Sequence, residues 1–372
     1  MVTVAIDAGP LHGHRTGVGT AVAGLLEALG GREDVTLHPY VLSARARLSD
    51  GQRRLPLPAA AAVRLWARPT PARLRPPYDR LLRRPDVVHG TNYIVPPART
   101  ARVVSVYDCW FLRHPDQAQP DVRRAAAALR RAVEEGAHVI TSSRATADGV
   151  RELLATDRVH AVHLGPPAVH SAATDGEDDH TELPAALDEV PFVLSLGTGE
   201  RRKNLPGLLD AFGRVAGEHD SAHLVIAGRR GDDEPAIVRA LDRLPGDARG
   251  RVHRPGTVAD STRRWLLEHA TVLAYPSLDE GFGFPILEAQ QVGTPVVASA
   301  VGSIPEVAGA AALLSPPRDS EALAANLFWV LNDDSMHDKL VRRGHANVGR
   351  FSWEQTADET LSAYRAAIED AT

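Results

Sequence analysis

The chain has 372 residues, 44% of them hydrophobic, and a formal charge of -5. That length makes about two domains with buried cores, and the mild negative charge gives no reason to expect nucleic acid as a partner. The single cysteine, Cys109, excludes an internal disulfide and reads as a small buried residue in a reducing, intracellular setting. No run of about 18 apolar residues is present, which excludes a membrane-spanning helix. The start, MVTVAIDAGP, opens on an apolar alternation instead of a basic stretch and a long apolar core, so a cytoplasmic protein is expected.

Strand-like runs and helix-like stretches alternate from the start. Thr3 to Ile6, Thr36 to Val41, Val87 to Val88, Val103 to Val106, Val139 to Thr141 and Val159 to Leu164 read as strands, with helical patterns at Ala21 to Leu29 and Val122 to Glu135. A polar, acidic stretch, His170 to Val190, interrupts the habit and reads as a linker between domains. The alternation then resumes with strand candidates at Phe192 to Leu196, His223 to Ala227, Val252 to His253, Val272 to Tyr275 and Val296 to Ser299. The last segment, Trp353 to Asp370, is a long helical pattern with Trp353, Leu361, Tyr364 and Ile368 on or near one face. Such alternation predicts an α/β protein of two Rossmann-like domains, each a parallel sheet covered by helices, facing a central cleft in which the ligand sits. The expected boundaries are 1–169, a linker at 170–190, 191–352, and a C-terminal helix at 353–372 packing back on the N-terminal domain.

The most informative stretch is Asp279-Glu280-Gly281-Phe282-Gly283-Phe284-Pro285-Ile286-Leu287-Glu288. It follows a strand and precedes a helix in which Pro285 suits the first position. Glu280 is then a loop residue and Glu288 sits in the first helical turn. The glycines and the helix start make a seat for a phosphate, while two carboxylates eight residues apart accept hydrogen bonds from sugar and ribose hydroxyls. The other reading leaves Glu288 as a complement to the helix dipole and Glu280 as a solvated loop residue. Upstream, Gly197-Thr198-Gly199-Glu200-Arg201-Arg202-Lys203-Asn204 follows a strand and offers cations to a diphosphate. Only Lys203 and Lys339 are lysines among 42 basic residues, so Lys203 stands out. A second glycine-rich element, Gly13 to Thr20, follows the first strand and can cradle a diphosphate, although its spacing is not the full dinucleotide pattern.

Taken in order, GVG at 17–19, DVVHGTN at 86–92, GTGERRKN at 197–204, VIAG at 225–228, PSLDEGFGFPILEA at 276–289, GTPVVAS at 293–299, GSIPEVAG at 302–309 and FSWE at 351–354 resemble the retaining glycosyltransferases of family 4, which have the GT-B fold. The C-terminal half carries the specific part of the resemblance. It implies that Glu280 contacts hydroxyls of the transferred sugar and Glu288 the ribose, and that Arg202 and Lys203 hold the diphosphate. Gly281, Phe282, Gly283 and Phe284 would line the sugar and phosphate, with Gly17 and Gly19 closing over them. It further implies transfer with retention and without metal or other cofactor, the leaving phosphate helping to take the acceptor proton. Asp178-Asp179, Asp232-Asp233 and Asp333-Asp334 accordingly lack the spacing of metal-using sugar-nucleotide enzymes.

One departure is that Tyr107-Asp108 stands where the family has His-Asp near the reacting centre, with His89 as a residue that either shares that role or is structural. The resemblance therefore implies hexosyl transfer from a nucleotide sugar, with mannose from GDP-mannose as first expectation, to a hydroxyl on a glycan, glycolipid or sugar-bearing metabolite. Its alternatives are a catalytically degenerate sugar-nucleotide-binding protein, suggested by Tyr107, and a nucleotide-sugar epimerase on the same fold. Finally, Arg45 to Arg84 holds many arginines, two acids (Asp50 and Asp79), and Leu65, Trp66, Leu74, Leu81 and Leu82. It reads either as a solvated arginine face or as a weak contact with anionic lipid at the inner face of a membrane.

Overall fold

A computed structural model describes all residues except 13–15, 44–45, 69–77, 119 and 168–182. The chain divides into two compact units: Met1–Gly165 together with Phe351–Thr372, and Pro166–Arg350. Most of the expected linker, residues 170–182, lies outside the described residues, as do Asp178 and Asp179. Leu183 and Leu187 are buried in the second unit's core, so that unit's packing begins before its first strand.

The first unit is built on seven parallel strands: β1 (Val2–Asp7), β2 (Val35–Val41), β3 (Arg53–Arg54), β4 (Val87–Gly90), β5 (Ala101–Val106), β6 (His138–Thr141) and β7 (Val159–Ala161), in the order β3-β2-β1-β4-β5-β6-β7. Every residue of β4, β5 and β6 is buried, the expected outcome for central parallel strands covered on both faces. β3 was not legible as a strand, because Arg53 and Arg54 are exposed edge residues. The order reverses direction between β1 and β4, and the carboxyl ends of strands on either side of such a reversal are where open α/β sheets bind ligands.

The helix Trp353–Ala371 belongs to this first unit. Ser352 caps it, its hydroxyl accepting the Gln355 N–H at 3.0 Å. Ala357, Leu361, Ala363, Tyr364 and Ala367 are buried with Val4, Ile6, Val87 and Val103 of the sheet. Trp353 lies so close to Gly24 and Gly165 that a Cβ at either glycine would overlap it. The Tyr364 hydroxyl meets His89 Nδ1 at 2.7 Å inside the core.

The second unit has six parallel strands: β8 (Phe192–Leu196), β9 (His223–Ala227), β10 (Val252–Gly256), β11 (Val272–Tyr275), β12 (Val296–Ser299) and β13 (Ala312–Ser315), in the order β10-β9-β8-β11-β12-β13. Its reversal falls between β8 and β11. Among the described residues no helix is long and apolar enough to cross a membrane.

Removing the Tyr364 ring should cost the first unit about 3–5 kcal/mol, whereas Tyr364→Phe, which only unpairs the buried His89 nitrogen, should cost about 1–3 kcal/mol. Urea unfolding of both variants checks the ranking; equal, negligible shifts would show that the C-terminal helix is not part of this core.

Candidate active site

The second unit's switch point is built by three loops. After β8 the chain runs to a single 3-10 turn, Arg201–Lys203, and Asn204 turns it into the next helix with a left-handed φ of 52°. After β11 comes the loop Pro276 to Gly283. The two are stitched together by Leu278 N–H donating to Arg202 C=O at 2.6 Å. The third loop, after β12, supplies Ser303, whose hydroxyl donates to the carbonyls of Glu280 and Phe282 at 3.0 Å each. Gly302 lies against the Glu280 backbone, and a Cβ there would sit 2.7 Å from its carbonyl oxygen.

This arrangement brings the buried Glu280 and the half-buried Arg202 and Lys203 into one cluster. Lys203 Nζ donates to Glu280 Oε1 at 2.5 Å and to the Tyr275 hydroxyl at 2.8 Å, and sits 4.6 Å from the centre of the Tyr275 ring. The Ser277 hydroxyl donates to the same Glu280 oxygen at 2.8 Å, and an Arg202 nitrogen lies 2.8 Å from the other. Arg202 Nε also donates to Glu200 at 2.9 Å. The Tyr275 hydroxyl is hydrogen-bonded with Glu280 as well, so four donors occupy the roughly four lone-pair positions of the carboxylate.

Glu288 is placed differently from the sequence expectation. The helix spans Phe284–Val292, with Gly283 at its start in a φ of 104°. Pro285 is therefore its second residue and Glu288 its fifth, past the first turn, too far along to complement the dipole at the helix start. Its carboxylate is held by Arg263 from the neighbouring helix Asp260–His269. Arg263 escaped sequence reasoning because no spacing rule links helices 25 residues apart. Phe282 is buried and packs edge-on to Phe284, with ring centres 5.4 Å apart.

In the first unit, Gly17 and Gly19 lie in the first turn of the helix Gly17–Gly30, not in a loop. Thr16 caps that helix, accepting Gly19 N–H at 3.3 Å. The rest of the expected cradle, Gly13 to Arg15, lies outside the described residues. His89 is fully buried, with Nδ1 on Tyr364 and Nε2 at 2.9 Å from the Ser105 hydroxyl. Both ring nitrogens are used, and burial pulls its pKa down to about 3, so it serves the core and offers no base. The Tyr107 phenol is hydrogen-bonded with Ser105, joining the same network, and burial raises its pKa. Asp108 accepts Trp110 N–H at 3.1 Å and the Tyr93 hydroxyl at 3.3 Å, starting the short helix Trp110–Arg113.

Residues 178–347 match the model of the family described as glycosyl transferases group 1. The chain is 30% identical over 283 residues to the O-antigen chain mannosyltransferase B of Escherichia coli, covering 75% of this chain and 74% of that one. The chain belongs to the group 1 glycosyl transferases. It is also 32% identical over 205 residues to the phosphatidyl-myo-inositol mannosyltransferase of Mycolicibacterium smegmatis, covering 50% of this chain and 52% of that one. The solved structure of Anabaena HepE in complex with UDP and glucose superposes with a TM-score of 0.74 at 16% identity, covering 98% of this chain and 100% of that one. Together with the two parallel-sheet units, these likenesses give this glycosyltransferase the GT-B fold.

Charge in this glycosyltransferase's second-unit cluster is set by competing terms. Burial alone would push Glu280 up, but Arg202, Lys203 and the hydroxyl of Ser277 outweigh it and hold the carboxyl at about 2. Burial likewise pulls the Lys203 ammonium below its usual range, and the Glu280 charge opposes that pull. Because the folded value of Glu280 lies below the ordinary 4.5 of a free carboxyl, its contribution is complete above pH 4.5 and is lost as pH falls toward 2. The difference amounts to about 3 kcal/mol at most. Glu280→Gln should therefore flatten the acid limb of the stability curve between pH 5 and 2, as followed by urea midpoints; an unchanged acid limb would show that the pair does not govern it.

Proposed function

We propose that this protein transfers a hexose, with mannose from GDP-mannose as the first candidate, from a nucleotide sugar to a hydroxyl on a glycan, glycolipid or sugar-bearing metabolite. The observation that carries the reading is the cluster of buried Glu280 with half-buried Arg202 and Lys203 at the switch point of the second sheet. Arg202 and Lys203 are cations that can follow a diphosphate as it takes up charge on losing the sugar, in a half-buried setting where water dilutes the attraction less than at an open surface. Held at about 2, Glu280 stays ionised at neutral pH. It cannot donate a proton there, which leaves it the role of accepting a sugar hydroxyl in exchange for one of its present donors. Glu288, fixed by Arg263, is the corresponding acceptor for a ribose hydroxyl, and Gly281, Gly283 and Phe284 are the backbone that approaches the sugar and phosphate. His89 has no nitrogen to spare and the Tyr107 phenol keeps its proton. Neither is then the base, which supports the leaving phosphate taking the acceptor proton; retention without a metal is part of the same proposal. The name of the Escherichia coli relative supports mannose, and the complex of the Anabaena structure supports a nucleoside diphosphate.

Thermal melting with UDP, GDP, ADP and dTDP, with and without magnesium, should single out one nucleotide regardless of the metal. At about 100 times its dissociation constant that nucleotide adds about 2.7 kcal/mol. Lys203→Ala and Glu288→Ala should each abolish the shift, and product anomers read by NMR should match the donor. No shift with any nucleotide would remove the reading.

A cytoplasmic setting with weak contact to an anionic membrane face is part of the same proposal. Of the apolar residues expected on that face, Trp66 and Leu82 are buried in the core, while Leu65 and Leu81 are exposed, as are Arg53, Arg54, Arg80 and Arg83. Leu74 lies outside the described residues. An open groove that starts at Arg64, the chain neighbour of Leu65, is lined by Arg64, Arg68, Arg123 and Arg124. Co-sedimentation with vesicles containing phosphatidylglycerol should capture the protein at low salt and release it above about 0.5 M, where the screening length falls to a few Å; no capture at low salt would exclude the contact.

A further inference from the structure

We infer that Glu200 distinguishes the spent nucleotide from the donor: its carboxylate competes with the diphosphate for Arg202, weakens the product more than the substrate, and so speeds release. The inference rests on the transfer reading and adds to it a residue that acts after the sugar has left.

Arg202 is shared between two carboxylates in different settings. Glu280 Oε2 lies 2.8 Å from one end of its guanidinium, and Glu200 Oε2 accepts from Nε at 2.9 Å. Glu280 is 6% exposed and takes further hydrogen bonds from Lys203, Ser277 and Tyr275, whereas the Glu200 side chain is 40% exposed. Among the described residues Arg202 is the single hydrogen-bond partner of the Glu200 carboxylate. The backbone around Glu200 is fixed nonetheless. Gly199 N–H donates to Arg229 C=O at 2.9 Å, Asp233 N–H donates to Gly199 C=O at 3.1 Å, and Arg201 N–H donates to Asp232 Oδ1 at 3.1 Å. These bonds pin the segment to the loop after β9. Glu200 is thus an anion on a fixed stem, able to turn its carboxylate to water while Glu280 keeps Arg202 in place. Lys203 feels the Glu200 charge as well.

Charge decides what this competition does. The diphosphate of a sugar nucleotide carries about two negative charges; once the sugar has gone, the terminal phosphate ionises further and the total approaches about three. On transfer the bond from the anomeric carbon to the terminal phosphate's oxygen breaks, its electron pair staying on the phosphate. The acceptor oxygen bonds to that carbon, and the acceptor proton passes by way of the phosphate to solvent. The added charge falls to Arg202 and Lys203, whose attraction by itself would hold the product more tightly than the donor. Tight product is a handicap, because release limits many turnover rates. A carboxylate on the same guanidinium repels both ligands, and the more highly charged one more strongly. Glu280 contributes a field of the same sign but is bound into the cluster. Glu200 is the one able to give way when a ligand arrives and to take Arg202 back when it leaves.

The test titrates the full chain calorimetrically with GDP and with GDP-mannose, or with UDP and UDP-glucose if melting selects UDP, and follows dissociation of the diphosphate by stopped flow. Glu200→Gln keeps an oxygen for Arg202 Nε and removes the charge. It should tighten the diphosphate about tenfold and the sugar nucleotide about threefold, and slow dissociation of the diphosphate in proportion. Both gains should shrink above about 0.5 M salt, where such charges are screened. Glu200→Asp keeps the charge and should hold the ratio of the two affinities within about twofold of the unmodified protein. Weaker diphosphate binding in Glu200→Gln would overturn the inference and leave Glu200 as a support for Arg202. Equal gains for the two ligands, or unaltered binding of both, would overturn it too. In each of these cases the unmodified protein still binds nucleotide and the transfer reading stands; no binding of any nucleotide to the unmodified protein would fell that reading, and the inference with it.

Discussion

Two half-buried cations around one buried carboxylate organise the second unit's working edge. Lys203 and Arg202 leave the loop after β8 and Glu280 leaves the loop after β11, and the cluster joins two loops that are also stitched by Leu278 N–H on Arg202 C=O and by the Asn204 side-chain amide donating to Pro276 C=O. Taking three charges out of water is expensive, and such a cluster is weak evidence of stability in itself. Its worth is positional. Ser277, Tyr275 and Ser303 satisfy the remaining polar atoms, so the cluster sits in one geometry before any ligand arrives.

The same topology appears twice with opposite electrostatics. Both sheets reverse strand order beside their first strand, and both place a buried carboxyl near that reversal. Glu280 is surrounded by cations and held at about 2. Asp7, given one backbone N–H, rises to about 7. Environment, not residue type, separates a permanent anion from a group poised between two protonation states.

Much of this was legible in the sequence because its signals are local. Buried parallel strands announce themselves as branched apolar runs, so β1, β2, β5, β8 and β11 could be read to within a residue or two, and the loop from Asp279 to Glu288 declared its glycines and acids directly. What escaped reading depends on distant partners. β13 is only four residues long and its first three are half-buried, so it has no clear period. The Gly17–Gly30 helix begins four residues before its apolar pattern, at glycines that propensity assigns to loops. His89 was ambiguous because its partner Tyr364 lies 275 positions away; Glu288 was misplaced because the helix begins one residue before Pro285, and its partner Arg263 is invisible to any pattern within its own helix.

The division of the chain has a consequence for biosynthesis. The first unit is discontinuous, its core closed by residues that follow the entire second unit. From Gly165 to Tyr364 the ribosome needs on the order of 10 to 40 s at roughly 5–20 residues per second. During that interval Val4, Ile6, Val87 and Val103 have no Leu361 or Tyr364 to cover them, while the uninterrupted second unit can complete its own core. The later segment of this protein is thus the one able to finish folding first, and the nascent N-terminal sheet is the surface on which chaperones would act.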